Sequence, residues 1–349
     1  MPSPRQVDSL RVLICLISSV SMFAVSGCVP KPSGAVVIYS AADREYAEPI
    51  LNAYSRRNEE VTVTPVFDVE SSKTLGLVTR IEQEAQRPRC DLFWNNEILH
   101  TLRLQEAGLL SPIAWDTPAG WPPNMKAKDS TWVGFAARAR ILIVNKNLLP
   151  NAEDRPNSVM DLVDPKWKDR CAIAMPLYGS TATHFAVLDD RLGSENASEL
   201  FRKIRDNVIV QAGNKQVAQA VSSGQLAFGL TDTDDAMVEI DAGLPVEIVF
   251  PDQLADQPGT LLIPNTLAVI KGGPNSTAAA SLANYLISED TEGRLAMGPS
   301  AQVPMRPNHP QNSKAIPEAG VRWMDANYEA AASRWNDLYD ELRLIFRGE

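Results

Sequence analysis

The sequence predicts an α/β protein of two lobes, each a mainly parallel sheet flanked by helices. Three observations carry this expectation. Short apolar runs at 35–39, 61–67, 90–94, 171–175 and 226–230 read as strands, several buried on both faces. Segments with apolar residues at helical spacing alternate with them across short turns, the pattern of a parallel sheet covered by helices. The chain has 349 residues, too many for one ordinary core and about right for two.

In chain order, strand 35–39 leads through a turn into helix 46–58, which has Ile50, Leu51 and Tyr54 on one side. Strand 61–67 follows. Ser71 and Ser72 then cap a helix running to about Gln86, with Val78, Ile81 and Ala85 at helical spacing. Strand 90–94 leads to a helical segment at 98–107 that Gly108 closes. The stretch 115–130, with Pro118, Pro122 and Pro123, reads as a surface connection. Two strand-like runs, 132–137 and 140–145, suit a crossing between lobes, as does 261–270. A short helix at 161–167 and strand 171–175 come next, then helices 184–192 and 195–206. Strand 208–211, helix 213–221, strand 226–230, helix 235–242 and strand 246–250 continue the alternation. Helical segments at 277–287 and 291–297 precede a helical tail from 315 onward, whose Trp323, Tyr328, Trp335 and Leu338 are expected to cover a lobe. On this reading, 35–137 with 262–315 forms one lobe, 138–261 the other, and 316–349 the tail.

The N-terminus reads as an export signal. Arg5 and Arg11 precede an apolar stretch, 12–25, too short for a comfortable membrane span. It ends in Val25, Ser26, Gly27 and Cys28, which resembles a bacterial lipobox. That resemblance implies removal of 1–27 and a lipid on Cys28, with 28–34 as a tether. An ordinary secreted protein with a chance cysteine is the alternative. Cys90 and Cys171 would remain. Export permits a disulfide, but two buried thiols are expected, because the pair opens strands of different lobes.

Composition is that of a globular protein, 44% hydrophobic and 22% charged. The net charge of −10 and the lack of a basic stripe argue against nucleic acid as a partner. No nucleophile elbow, phosphate loop or paired-histidine zinc motif is present, so catalysis is not expected. His100 is expected on a helix surface, and His184 near a cleft.

The chemistry concentrates at strand ends, where α/β folds place their ligands. The strand 226–230 is expected to stop in Thr231, Asp232, Thr233, Asp234 and Asp235. Asp43 follows the first strand; Asn95, Asn96 and Glu97 follow the third. Asp43, Glu97, Asp234 and Asp235 offer hard oxygen donors for a cation. The plainer reading is helix capping for the aspartates, a helix-start acid for Glu97 and a solvated turn for Asp43. Ser71, Ser72 and Thr74 form one hydroxyl cluster, and Gly179, Ser180 and Thr181 another. Each opens a helix and suits an anion, or serves simply as an N-cap. Tyr178 can stack on a ring, supply a phenolate, or only form a wall.

Four motifs now carry a family resemblance: VVIYS at 36–40, DLFWNNE at 91–97 with EAGLL at 106–110, DLVDPKW at 161–167, and GNKQVAQAVSSG at 213–224. Together they resemble the type 2 periplasmic solute-binding proteins of ABC importers, in particular the ferric-iron-binding branch. The resemblance implies two lobes joined by two crossing strands, a monomer, and cargo captured between the lobes. It further implies delivery to a membrane permease, with the lipid on Cys28 holding the protein at the membrane. Ferric iron or another metal cation is the favoured cargo, and no cofactor is required. A phosphonate, thiamine, polyamine or other small organic solute is the alternative; a ligand-sensing module is the alternative of another class. The branch often holds iron by a histidine, a glutamate and two adjacent tyrosines. Glu97 matches the glutamate, Asp43 stands at the histidine, and Asp234 with Asp235 stand at the tyrosines. The expected ligand-binding set is Asp43, Ser72, Asn95, Glu97, Tyr178, Ser180, Thr181, Asp232, Asp234 and Asp235.

Overall fold

The computed structural model describes residues 34–68 and 74–348. The expected export signal, Cys28, Ser71 and Ser72 lie outside the described residues. The chain runs β1 (Gly34–Ser40), α1 (Arg44–Arg57), β2 (Val61–Phe67), α2 (Leu75–Gln83), β3 (Leu92–Asn95), α3 (Leu99–Glu106) and β4 (Leu110–Ser111). It continues through β5 (Trp132–Asn145), β6 (Cys171–Ala174), α4 (Gly179–Leu192), α5 (Ser194–Asn207), β7 (Ile209–Gln211), α6 (Asn214–Ser222) and β8 (Phe228–Asp232). The last part is α7 (Thr233–Asp241), β9 (Val246–Val249), β10 (Leu262–Ile270), α8 (Ser276–Leu286), α9 (Glu289–Met297), α10 (Tyr328–Ser333) and α11 (Trp335–Arg347).

The main strand order is β2-β1-β3-β10-β5-β8-β6-β7, with β4 beside β10 and β9 beside β5. The α/β expectation holds. β1, β2 and β3 pair in parallel, as do β6, β7 and β8. β10 and β5 run antiparallel to these sets and to each other, so they are the crossing strands. All of β10 and β5 is buried, as crossing strands covered on both faces must be.

Several local expectations are corrected. Residues 132–145 form one strand, not two, because the arginines that interrupt the apolar run are paired inside the protein and the chain never leaves the sheet. It kinks instead. Ala136 has φ +38°, and the β5–β10 register shifts between Ile263 and Asn265. Ala137 exchanges backbone hydrogen bonds with Val303 there. This bulge is held from two sides. The fully buried Glu292 accepts the backbone N–H groups of Ala136, Met305 and Arg306 at 2.9, 2.8 and 3.0 Å. Asn265 donates its side-chain amide to the Ala136 carbonyl.

β8 continues through Thr231 and Asp232 rather than stopping at Leu230, since Asp232 finds partners within the fold. α2 ends at Gln83, not near Gln86. Residues 159–167 form two 3₁₀ turns, the first with a Ser158–Asp161 capping box. The tail becomes helical only at Tyr328. There α10 packs on both α3 and α4, and the Tyr328 hydroxyl donates to the Leu262 carbonyl of crossing strand β10. The tail also corrects His100. It is fully buried, with Arg103 at 2.9 Å from Nδ1 and Trp335 edge-on at 5.7 Å. Burial, and then the Arg103 charge, lower its pKa to about 3, so it is neutral. Cys90 and Cys171 are free, buried thiols, and burial raises the pKa of both.

Candidate ligand-binding cleft

β5 carries Arg138 and Arg140 two residues apart, so both project from the same side of the strand. Neither charge can be buried alone. Arg140, fully buried, meets Asp232 at the end of the neighbouring β8 at 2.7 Å. Around this pair Ser180 donates to Asp232 at 2.5 Å, and the Asn214 amide donates to it at 3.0 Å. Arg140 also donates to Ser180, Thr181 and Asn214, each at 3.2 Å. The first turns of α4 and α6 are thereby tied to the middle of β5 and the end of β8. With Arg140, Ser180 and Asn214 all bonded to it, Asp232 has little acceptor capacity left for a cation.

Arg138 is the cleft-facing member. It is 4% exposed, lies 3.4 Å from Asp234 and 4.0 Å from Asp232, and donates to Asn265 at 3.3 Å. Its Nε has no hydrogen-bond partner. Burial opposes its charge, but Asp234, Asp232, Asp43 and Asp235 outweigh burial and raise its pKa. Asn265 thus links the Ala136 bulge to the Arg138 guanidinium, and the kink in β5 and the aim of Arg138 are one construction.

A hollow of about 20 Å³, room for roughly one water, lies beside these groups. Around it stand Arg138, Asn96, Tyr178, Gly179 to Thr181, Asn214 and Asp232. Gly179 opens α4 at φ +64°, a backbone conformation that favours glycine. Two helix N-termini and a guanidinium therefore converge on one spot, an arrangement suited to an oxyanion. A larger hollow of about 310 Å³, beside Ile98, Leu102, Trp132 and Tyr328, holds none of these buried charges.

Of the expected residues, Tyr178, Ser180, Thr181 and Asp232 come together at the hollow. The expected metal set of Asp43, Glu97, Asp234 and Asp235 does not assemble as written. Among the described residues, the acids whose oxygens lie within 4.8 Å of one another as a group of three are Asp232, Asp234 and Asp235. Arg138 stands among them and competes with any cation for their oxygens. Glu97 lies elsewhere and is fully buried. It accepts from Asn95 at 2.7 Å, from the His100 N–H at 3.1 Å and from Thr183 at 2.8 Å. Burial raises its pKa, and those three donors oppose the rise. Asn95 accordingly donates its side-chain amide to Glu97 and Thr101, while its Oδ1 has no hydrogen-bond partner among the described residues. Thr74 donates to Asn96 at 2.9 Å rather than capping α2. His184 is buried and neutral, its pKa pushed well below the usual value by burial and then by Arg140.

Sequence reasoning missed Arg138, Arg140 and Asn214. A signal for the arginines exists: two cations at alternate positions in an otherwise apolar strand require buried acids or a ligand.

Residues 100–331 match the model of a family described as bacterial extracellular solute-binding protein, and the chain belongs to that family. It is 25% identical over 297 residues to iron uptake protein A1 of Synechocystis, covering 78% of this chain and 79% of that one. It is 23% identical over 347 residues to a putative 2-aminoethylphosphonate-binding periplasmic protein of Salmonella typhimurium, covering 92% and 97%. The fold is that of iron-bound HitA from Pseudomonas aeruginosa, with a TM-score of 0.79, 22% identity, and 89% of this chain and 99% of that one covered. The periplasmic binding protein AfuA of Actinobacillus pleuropneumoniae, solved with fructose-6-phosphate, has a TM-score of 0.77 at 20% identity, over 89% and 98%. The two-lobe periplasmic-binding architecture expected from the sequence is therefore present.

Proposed function

We propose that this protein is the extracytoplasmic solute-binding component of an ABC importer, held at the membrane by a lipid on Cys28, and that its cargo carries an oxyanion of the phosphonate or phosphate class. One observation supports the cargo assignment above the others. The buried Arg138 guanidinium stands with the opening turns of α4 and α6 at the same hollow. Cargo enters between the lobes, its anionic group is met by Arg138 and the helix N-termini, and closure excludes water and strengthens those contacts. A relative named for 2-aminoethylphosphonate and a structural neighbour solved with a sugar phosphate are in keeping with this reading.

The cation reading keeps one specific observation, the gathering of Asp232, Asp234 and Asp235, together with relatives named for iron. Two guanidinium groups among those acids weigh against a bare ferric ion.

Native and elemental mass spectrometry of protein purified from its own envelope decides between the two. A bound phosphorus-containing molecule is the expected result. One equivalent of iron with no anion would overturn the oxyanion assignment. Calorimetry with 2-aminoethylphosphonate, inorganic phosphate and ferric citrate then ranks the probes.

A further inference from the structure

Glu97 follows β3, in the sheet half built on β1, β2 and β3; Thr183 sits on α4, which follows β6 in the other half. The Thr183 hydroxyl donates to the Glu97 carboxylate at 2.8 Å, across 86 residues of sequence, with both residues at most 1% exposed. We propose that this hydrogen bond is a closure latch, which holds the two lobes together and sets how fast captured cargo escapes.

The two partners are unequally committed to the bond. Glu97 is held in place by its own lobe, through Asn95 and the first turn of α3. When the lobes part it loses only Thr183. Thr183 has a second acceptor within its own helix, the Gly179 carbonyl at 3.5 Å. Its single hydroxyl proton therefore has two uses: outward to Glu97 with the lobes together, or back to Gly179 with the lobes apart.

The placement of Thr183 couples the latch to the cleft. It lies three residues beyond Ser180, on the helix whose first turn lines the hollow. Any movement that brings that turn onto cargo also carries Thr183 to Glu97. A hydrogen bond to an ionised carboxylate is worth more than one between neutral groups. Its loss should appear in the rate of opening rather than the rate of encounter. Glu97, which the family resemblance assigns to cargo, then acts as a positioning residue that never touches it.

The latch rests on the reading of the cleft as a capture site, and the test separates the two. Thr183→Val keeps the side-chain shape and removes the donor. In ligand-free protein, small-angle scattering should show a larger radius of gyration for Thr183→Val than for wild type, with Thr183→Ser restoring the wild-type value. With 2-aminoethylphosphonate as probe, stopped-flow dissociation should be roughly tenfold faster, with association little changed. Superimposable scattering curves for wild type and Thr183→Val would overturn the latch. If Thr183→Val does not fold, Thr183→Ala is judged by the same scattering comparison. A wild type that binds none of the probes would remove the cargo assignment and leave the scattering result to judge the latch alone.

Discussion

Arg140 and Glu97 are both fully buried, yet their surroundings treat charge in opposite ways. Arg140 has a carboxylate at 2.7 Å and three further polar partners, all drawn from the sheet half built on β5, β6 and β8 or from its helices. Glu97 has neutral donors only, and one of them belongs to the other half. The first arrangement survives any movement of the lobes. The second is complete only while they touch. Permanent scaffolding and conditional contact can thus be told apart by where the partners of a buried charge come from.

The sharpest way to break this comparison is Arg140→Ala. It removes the closer of the two cations at buried Asp232, leaving Arg138 at 4.0 Å, and a cost of about 3–5 kcal/mol is expected in denaturant unfolding. A loss under about 1 kcal/mol, a surface-like value, would show that Ser180, Asn214 and the more distant Arg138 suffice to hold Asp232.

Arg138→Ala should act mainly on binding. Removing a charged donor from the cleft is expected to weaken calorimetric affinity for an oxyanion probe by about 100-fold, with a smaller stability loss than Arg140→Ala. Arg138→Lys should recover only part of that affinity, because an ammonium lacks the planar fork. Equal affinity in wild type and Arg138→Ala would remove the oxyanion assignment.

Glu97→Gln sharpens the other side through pH. Burial raises the Glu97 pKa in the folded state. The stability linked to its protonated form is present below the ordinary carboxylate range, and it is lost as pH rises through the raised pKa. Thermal midpoints of Glu97→Gln should therefore fall less steeply than wild type over that window. Some slope should remain, since Glu292 is shifted in the same direction by burial.

Lys203→Ala is the control of smallest effect. Its exposed i,i+4 pair with Glu199 should contribute no detectable shift in thermal midpoint.

Much of the fold was legible in the residues. The strands at 35–39, 61–67 and 171–175 and the helices between them follow from apolar spacing, a local property. So does the Gly179, Ser180 and Thr181 turn, whose residue types belong to helix starts. The single strand β5 was not legible, because Arg138 and Arg140 break its apolar run and their partners lie far along the chain. His100 looked exposed for the same reason. The tail that buries it arrives more than two hundred residues later, through Trp335. At the site, the residue types were recognisable but their pairing was not. Asp232 looked free and is engaged by Arg140, Ser180 and Asn214, while Glu97 looked like a cargo ligand and is turned toward Asn95, His100 and Thr183.

The sequence alone determined the alternation of strands and helices in both halves and the acids near strand ends, since each depends on neighbours a few residues away. The tertiary structure decided which acid meets which donor, where β5 kinks, and that Glu97 reaches Thr183. Those outcomes depend on burial and on contacts between distant segments, which no local spacing records.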